Sequence, residues 1–233
     1  MKQMRNALDM GLPQLGLDLP PDTRDRLCAF GTAVVEQNKV MNLTAITQPE
    51  AVAKLHLLDS LTLLTALDLS GKRVIDIGCG AGFPGVPLQI ACPSMELTLL
   101  DSLGKRMTWL ETVLPTLGIT AECVTARAEE AVSTRRESYD VATSRAVARL
   151  RILLELTAPY VKVGGYVAAM KGAAAKEELA EAKNAISQLG LKLEKMLEFP
   201  IEDTCHGIIL LKKVKPTPPQ FPRAYAKIKK SPL

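Results

Sequence analysis

The chain has 233 residues, of which 47% are hydrophobic but only 4% aromatic, and it carries a formal net charge of +4. This length suits one domain of moderate size with an appendage, and an aliphatic composition is typical of an α/β sheet buried on both faces. The chain lacks a run of about 18 apolar residues, and its five cysteines and two histidines lack metal-ligand spacing, which argues against a membrane span and a metal site.

Residues 1–70 predict a helical cap ahead of a sheet. Asp22 is a candidate N-cap because apolar residues follow it at helical spacing, and residues 49–67 carry a second stripe of this kind. His56 and Asp59 lie one turn apart in that second segment, where they can meet on one helix face. We interpret them as a local pair that stabilises the helix, with catalysis as the alternative.

Residues 72–101 predict the unit around which the rest of the chain is organised. A short apolar run over 74–77 leads into a glycine-rich turn, a helix-compatible segment and a second apolar run that ends on Asp101. Such a strand–turn–helix–strand unit binds adenosine-containing cofactors outside the carboxyl ends of parallel strands. Asp101 can accept hydrogen bonds from both ribose hydroxyls, and glycine allows a ligand to approach the backbone closely. The turn glycines are Gly78, Gly80, Gly82 and Gly85.

The register of these glycines distinguishes between two cofactors. Residues 80–85 satisfy the dinucleotide pattern G-x-G-x-x-G, but the apolar strand stops at Ile77, so Gly78 is the first turn glycine. Asp76 would repel a pyrophosphate at the helix start, whereas its charge favours the sulfonium and amino groups of S-adenosyl-L-methionine. We therefore predict a class I methyltransferase, with a nicotinamide-dependent oxidoreductase on a similar sheet as the alternative.

The remaining segments complete a domain over residues 71–214. We predict a Rossmann-like, mostly parallel seven-stranded sheet with an antiparallel edge strand. Ala128 and Glu129 follow the third strand, where such sheets bind adenine, and Arg145 lies in the loop that faces the transferred methyl. No Asn-Pro-Pro-Tyr-like element, which holds an exocyclic amine in many amino-methylating enzymes, stands in that loop. The further strands are predicted at 119–124, 139–143, 166–171, 191–199 and 207–214, the last two as an antiparallel pair.

Residues 215–233 form a basic, proline-rich tail. The last 22 residues contain seven basic residues and no acid, whereas the rest of the chain carries more acidic than basic residues. This pattern is compatible with contact with a polyanion such as RNA, although a charge run taken alone favours the alternative of a solvated, disordered end. Deleting 215–233 is then expected to weaken RNA binding, flatten its salt dependence and leave cofactor binding intact. The residues predicted to line the RNA approach are Lys105, Arg106, Arg149, Lys171, Arg223, Lys227, Lys229 and Lys230.

Segments along nearly the whole chain carry a family resemblance. They are NLTAI (42–46), HLLDSL (56–61), DIGCGAGFPGVPL (76–88), LLDSLGKR (99–106), RAEE (127–130), SRAV (144–147), MKG (170–172) and PRAYAKIKKSPL (222–233). In this order they resemble bacterial ribosomal RNA small-subunit methyltransferase G, a family also called glucose-inhibited division protein B. One departure is Arg223-Ala224-Tyr225, where members often have an Arg-Pro-Gly-type turn.

The resemblance implies methyl transfer from S-adenosyl-L-methionine to N7 of a guanosine in 16S ribosomal RNA. It places the ribose-binding acid at Asp101 and implies a cytoplasmic, monomeric enzyme whose substrate is the RNA or the assembled 30S subunit. The further cofactor-contacting positions that it implies are Gly78, Phe83, Ala128, Glu129 and Arg145.

Guanine N7 carries a lone pair and no proton, so its methylation needs no general base. Alignment in a pocket that excludes water can lower such a barrier by about 7–11 kcal/mol. We hypothesise that Arg145 orients the reactants by bridging the cofactor and substrate loops, with a structural ion pair to Glu129 or Asp140 as the alternative. A cofactor-binding RNA or ribosome assembly factor without turnover is the alternative function.

Overall fold

The computed structural model of the protein describes residues 1–201 and 204–233. Helices open and close the chain, and strands alternate with helices between them. The helices are α1 (Lys2–Gln14), α2 (Pro21–Met41), α3 (Pro49–Val52), a π-helical turn (Ala53–Leu58), α4 (Asp59–Leu61), α5 (Leu63–Ala66), α6 (Gly85–Ala91), α7 (Gly104–Thr116), α8 (Ala128–Ala131), α9 (Leu150–Thr157), α10 (Ala175–Glu181), α11 (Lys183–Gln188) and α12 (Tyr225–Lys230). The strands are β1 (Arg73–Ile77), β2 (Glu96–Asp101), β3 (Ala121–Thr125), β4 (Tyr139–Arg145), β5 (Val161–Lys171), β6 (Leu191–Ile201) and β7 (Thr204–Lys213).

The strands form one seven-stranded sheet in the order β3-β2-β1-β4-β5-β7-β6. Neighbouring strands from β3 to β5 are parallel, whereas β7 runs antiparallel to both β5 and β6. The mostly parallel seven-stranded sheet predicted from the sequence is confirmed, with the antiparallel strand one place in from the edge. The carboxyl ends of β1, β2, β4 and β5 and the amino end of β7 therefore lie along one edge of the sheet.

Each face of the sheet covers a separate hydrophobic core. Within β1, Val74 belongs to the core shared with the N-terminal helices, whereas Ile75 and Ile77 belong to the core shared with α9 and the C-terminal segment. Because both faces are covered, the central strands β1, β2 and β4 are buried along most of their length. This two-sided burial explains the aliphatic, aromatic-poor composition.

The N-terminal helices pack on one face of the sheet. Phe30 of α2 is fully buried, and its ring lies 5.3 Å from that of Phe83 in the glycine-rich turn. The prediction that Asp22 caps α2 was wrong, because the helix begins at Pro21 and Asp22 lies inside its first turn. Proline is favoured at the first helical position, since its fixed φ suits the helix and its missing N–H needs no partner there.

The strand β5 starts earlier than predicted, at Val161, and includes the Gly164–Gly165 pair that we expected to precede it. An irregular register between Tyr139 and Val141 accommodates this pair in the β4–β5 ladder. A Cβ atom on Gly165 would clash with the backbone carbonyl oxygen of Asp140 and lie 2.8 Å from a side-chain carbon of Val161, so only glycine fits there. The predicted start of this strand at residue 166 was therefore wrong, because the two glycines form a bulge inside the strand.

The C-terminal segment is packed against the body. Lys213 is fully buried, and its Nζ donates hydrogen bonds to the carbonyl of Ala158 at 2.6 Å and to Thr217 Oγ1 at 2.5 Å. Phe221 and Ile228 are buried in the second hydrophobic core. Residues 215–233 therefore complete that core, and the alternative of a solvated, disordered end does not describe them.

Within residues 1–201 and 204–233, no helix is long and apolar enough to cross a membrane. The same part of the chain contains no group of His, Cys, Asp and Glu side chains arranged to hold a metal ion. All five cysteines carry free thiols.

Candidate functional site

The turn after β1 is shaped by glycines at positive φ. Gly78 has φ +72°, Gly80 +56° and Gly82 +94°, a region that other residues adopt only with strain. A Cβ atom on Gly82 would lie 2.7 Å from Val86, whereas one on Gly80 would find nothing closer than Arg106 at 3.9 Å. Gly80 therefore leaves room for a ligand at the carboxyl edge of the sheet, whereas Gly82 allows the turn to pack on α6.

Asp76 supports this turn from beneath. Its side chain is fully buried, and Oδ2 accepts a hydrogen bond from the backbone N–H of Gly85 at 2.8 Å. Burial raises the pKa of Asp76 to about 7, although the Gly85 hydrogen bond opposes the shift. The expectation that Asp76 offers its charge to the cofactor was wrong, because Asp76 does not line the cavity and instead fixes the start of α6.

Asp101 ends β2 beside Gly80. Its Oδ2 accepts the Gly80 N–H and its Oδ1 accepts the Leu103 N–H, both at 2.9 Å. Each carboxylate oxygen can accept a further hydrogen bond, so Asp101 can bind two ribose hydroxyls while its backbone contacts hold it in place. The Arg106 guanidinium lies 4.0 Å from Oδ2.

These groups line a cavity of about 590 Å³. The wall contains every predicted cofactor-contacting residue except Gly82, which packs against Val86 of α6 and shapes the turn. The predicted residues in the wall are Gly78, Gly80, Phe83, Asp101, Ala128, Glu129 and Arg145.

The chemistry of the wall fits S-adenosyl-L-methionine. The Asp101 carboxylate lies at the end of β2, where it can bind a ribose. Gly80 beside it has no side chain, so a ligand can approach its backbone closely. The loop over 126–129 supplies the short side chains of Ala126 and Ala128 where the adenine of such a cofactor is expected.

Tyr225 also lines this cavity, although the sequence analysis did not assign it to the site. It begins α12, and the Arg127 guanidinium lies 4.8 Å from its ring centroid. Arg127 Nε in turn donates to Glu129 at 2.5 Å. The C-terminal segment therefore forms part of the cofactor cavity beside Ala128, and no local sequence signal connects residues so far apart in the chain.

Arg145 joins the end of β4 to the helical cap. Its Nη1 donates to Asp59 Oδ2 at 2.6 Å and to the carbonyl of Leu55 at 3.1 Å. The alternative ion pair with Glu129 or Asp140 is wrong, because Glu129 pairs with Arg127 and Asp140 with Lys162.

His56 is held between Arg145 and Phe83. Its ring stacks on Phe83 with centroids 4.7 Å apart, and Nδ1 lies 3.2 Å from Arg145 Nη2. Nδ1 also lies 3.1 Å from the carbonyl of Leu55, so a donating guanidinium and an accepting carbonyl compete for this nitrogen, and Nε2 lies 2.8 Å from Thr44 Oγ1. Burial and the charge of Arg145 lower the pKa of His56 to about 4, so the ring is neutral at pH 7.

His206 completes the cluster from β7. Its Nδ1 lies 2.7 Å from Asp59 Oδ1, so Asp59 contacts His206 and Arg145 through different oxygens. Burial acts to raise the pKa of Asp59, but the His206 hydrogen bond and the Arg145 charge lower it overall. His56 and Asp59 are thus linked through Arg145, where the sequence suggested a direct local pair.

Some of the residues predicted to line the RNA approach have a carboxylate beside them, and the others expose their charge. Arg149 pairs with Glu177 and Glu181, and Lys171, with a side chain only 6% exposed, pairs with Glu178. Arg223 pairs with the buried Glu155. Arg106 lies at the cofactor cavity, and the residues that expose their charge are Lys105, Lys227, Lys229 and Lys230.

The sheet order, the glycine-rich turn and the ribose-side carboxylate together define a class I S-adenosylmethionine-dependent methyltransferase. The fold is similar to that of a solved 16S rRNA (adenine(1408)-N(1))-methyltransferase from Catenulisporales acidiphilia, with a TM-score of 0.54 at 16% identity over 64% of this chain and 88% of that one.

The comparison of sequences is more specific. The model of the family described as rRNA small subunit methyltransferase G matches residues 24–205, and the chain belongs to this family. It is 43% identical to the "Ribosomal RNA small subunit methyltransferase G" of Desulfitobacterium hafniense over 94% of this chain and 93% of the relative. The enzyme of the same name from Alkaliphilus metalliredigens is 41% identical over 99% of both chains.

Proposed function

We propose that the chain transfers a methyl group from S-adenosyl-L-methionine to N7 of a guanosine in small-subunit (16S) ribosomal RNA. The observation that carries the proposal is the family match over residues 24–205 together with the Asp101 cavity inside that range. A nicotinamide cofactor is not proposed, because the chain belongs to a methyltransferase family.

Different residues of the cavity bind different parts of the cofactor. Asp101 holds the ribose hydroxyls, the backbone at Gly78 and Gly80 faces the methionine part, and Ala128 with Glu129 contacts the adenine. When bound there, the cofactor supplies an electrophilic methyl group on a sulfonium. Phe83 forms one side of the cavity, where its ring stacks against His56.

The chain acts on the guanine by orientation. N7 has a free lone pair and no proton to remove, so no side chain has to act as a base. The geometry agrees with this, since both ring nitrogens of His56 already have partners in the protein, Arg145 and the Leu55 carbonyl at Nδ1 and Thr44 at Nε2. Arg145 faces both the cofactor cavity and the adjoining opening, which suits an orienting role. If Arg145→Ala leaves both cofactor affinity and the single-turnover rate unchanged, Arg145 has no such role.

The RNA is held by positive charge at the rim. Lys105, Lys227, Lys229 and Lys230 are exposed and can neutralise phosphates, each of which adds about −0.7 to −0.9 to the salt slope of binding. Arg106, Arg149, Lys171 and Arg223 contribute less because carboxylates lie beside them.

We infer a monomer that works in the cytoplasm, where ribosomal RNA is assembled into 30S subunits.

The test supplies the purified chain and methyl-labelled cofactor with naked 16S RNA, free 30S subunits and whole ribosomes. We expect label to enter one guanosine as 7-methylguanosine in at least one of these substrates. Binding of cofactor and RNA without transfer to any of them would instead support the alternative, an assembly factor that retains the cofactor site.

A further inference from the structure

A second cavity adjoins the cofactor cavity at the same edge of the sheet. It has a volume of about 510 Å³ and lies between the ends of β4 and β5, the beginning of β7 and the helical cap. The two cavities share His56, Arg145, Ala146 and Val147. A base bound in the second cavity would therefore lie next to a methyl donor bound in the first, at the shared boundary that contains Arg145.

We propose that this second cavity is the subsite for the target base, and that it selects guanine through a donor on Arg145 and an acceptor on Glu178. The proposal rests on the proposed function, because it takes a purine ring nitrogen as the methyl acceptor. Ligands of open α/β sheets bind outside the carboxyl ends of the strands, and the volume falls in the range of about 300–1,000 Å³ that small-molecule sites occupy.

Arg145 supplies the donor beside the cofactor. Asp59, the Leu55 carbonyl and the His56 ring hold its two terminal nitrogens and so fix the plane of the guanidinium. Among the residues that the structure describes, none accepts a hydrogen bond from Arg145 Nε. A guanine whose N7 faces the methyl presents O6 next to it, and arginine is a common donor to this oxygen.

Glu178 supplies the acceptor farther from the cofactor, on α10. Its Oε2 accepts the Leu150 N–H at 2.7 Å and forms an ion pair with Lys171 Nζ at 2.8 Å. No described residue donates to Oε1, although the side chain is only 14% exposed. An ionised carboxylate accepts hydrogen bonds only, and the 2-amino group of guanine is a donor on the edge remote from N7.

This arrangement of donor and acceptor discriminates against adenine. Adenine places an amino group where guanine has O6, so a donor on the base would face the donor on Arg145. It also lacks the 2-amino group, which would leave Oε1 of Glu178 unpaired. A buried polar group without a partner disfavours binding, so both contacts select guanine.

The experiment compares guanosine and inosine as targets. After the methylated position has been mapped with the wild-type protein, semi-synthetic RNA carrying either nucleoside there is prepared in the form that is methylated. Inosine retains N7 and O6 and lacks only the 2-amino group. We expect wild-type kcat/KM to be roughly ten- to hundred-fold lower for inosine, which corresponds to loss of one hydrogen bond to a charged group.

Two matched variants assign that preference to one side chain. Glu178→Gln is expected to lower the rate on guanosine but not on inosine, so that the preference falls to about five-fold or less. Glu177→Gln is the control, because Glu177 lies next in sequence and pairs with Arg149 at an exposed position outside the cavity. It should keep the wild-type preference, and calorimetry should give both variants wild-type cofactor affinity.

The two proposals fail in different ways. Equal losses on guanosine and inosine in Glu178→Gln would mean a structural role for Glu178 and would overturn the assignment of the subsite. A wild-type protein that methylates inosine as fast as guanosine would overturn it as well. Absence of methyl transfer to any RNA by the wild-type protein would contradict the proposed function itself.

Discussion

At the scale of single residues, the two histidines of the chain have pKa values shifted in opposite directions within one cluster. Burial and the charge of Arg145 lower the pKa of His56 to about 4. The hydrogen bond to Asp59 raises the pKa of His206 above its ordinary value. The Asp59 carboxylate therefore contacts His206 directly and is linked to His56 through Arg145.

These shifts predict how stability depends on pH. Between about pH 6.5 and pH 4, His56 is protonated in the unfolded chain but neutral in the folded protein. Proton uptake therefore favours the unfolded state, and stability decreases as the pH falls toward 4. The contribution of His206 is complete below its unfolded pKa and is lost as the pH rises through its higher folded pKa. We expect His56→Gln to flatten the loss of stability on the acid side, as measured by denaturant unfolding between pH 4 and 7.

Proton NMR gives a direct check, because the chain contains only two histidines. One imidazole should titrate above its ordinary pKa and the other near 4. Substitution of His206 by Gln should remove the signal with the higher pKa. Two signals that both titrate near 6.5 would contradict the arrangement of charges described for this cluster.

A second prediction at this scale concerns Asp101. In Asp101→Asn, an amide N–H must face either the Gly80 N–H or the Leu103 N–H, both of which now donate to a carboxylate oxygen. One ribose contact is lost with it, and a hydrogen bond to a charged group contributes about 1.5–3 kcal/mol. We expect the Kd for S-adenosylmethionine, measured by calorimetry, to rise about ten- to hundred-fold, whereas the exposed Asp68→Asn should leave it unchanged.

At the scale of elements, the C-terminal segment combines two roles that the sequence suggested were separate. Its apolar residues Phe221 and Ile228 are buried in the second core, and Tyr225 lines the cofactor cavity. Deletion of 215–233 therefore removes core and cavity residues, and the expectation that such a deletion leaves cofactor binding intact does not fit these contacts. The role of the tail in RNA binding has to be tested by changing charge alone.

The appropriate variant replaces Lys227, Lys229 and Lys230 with Gln. All three side chains are exposed, and Ile228 between them stays in the core, so the fold should be preserved. We expect weaker RNA binding with a salt slope reduced by about two to three units, and an unchanged Kd for the cofactor. An unchanged slope would mean that α12 does not contact the RNA backbone.

At the scale of the whole molecule, the sequence was most informative where function depends on neighbouring residues. The Gly78–Gly82 turn and Asp101 belong to one local unit, so their spacing predicted both the sheet and the cofactor cavity. His206 and Tyr225 carried no such signal, because they reach the site through long-range packing of β7 and α12. Asp76 was misinterpreted for a related reason, since spacing gives the position of a residue on a strand but not the partner of its buried carboxylate.

The Lys213 anchor and the burial of Ile228 have a consequence for local unfolding. Because α12 carries both a core residue and Tyr225, release of this helix from the second core would open the cofactor cavity at the same time. Bound cofactor is therefore expected to slow amide hydrogen exchange in α12 as well as in the glycine-rich turn.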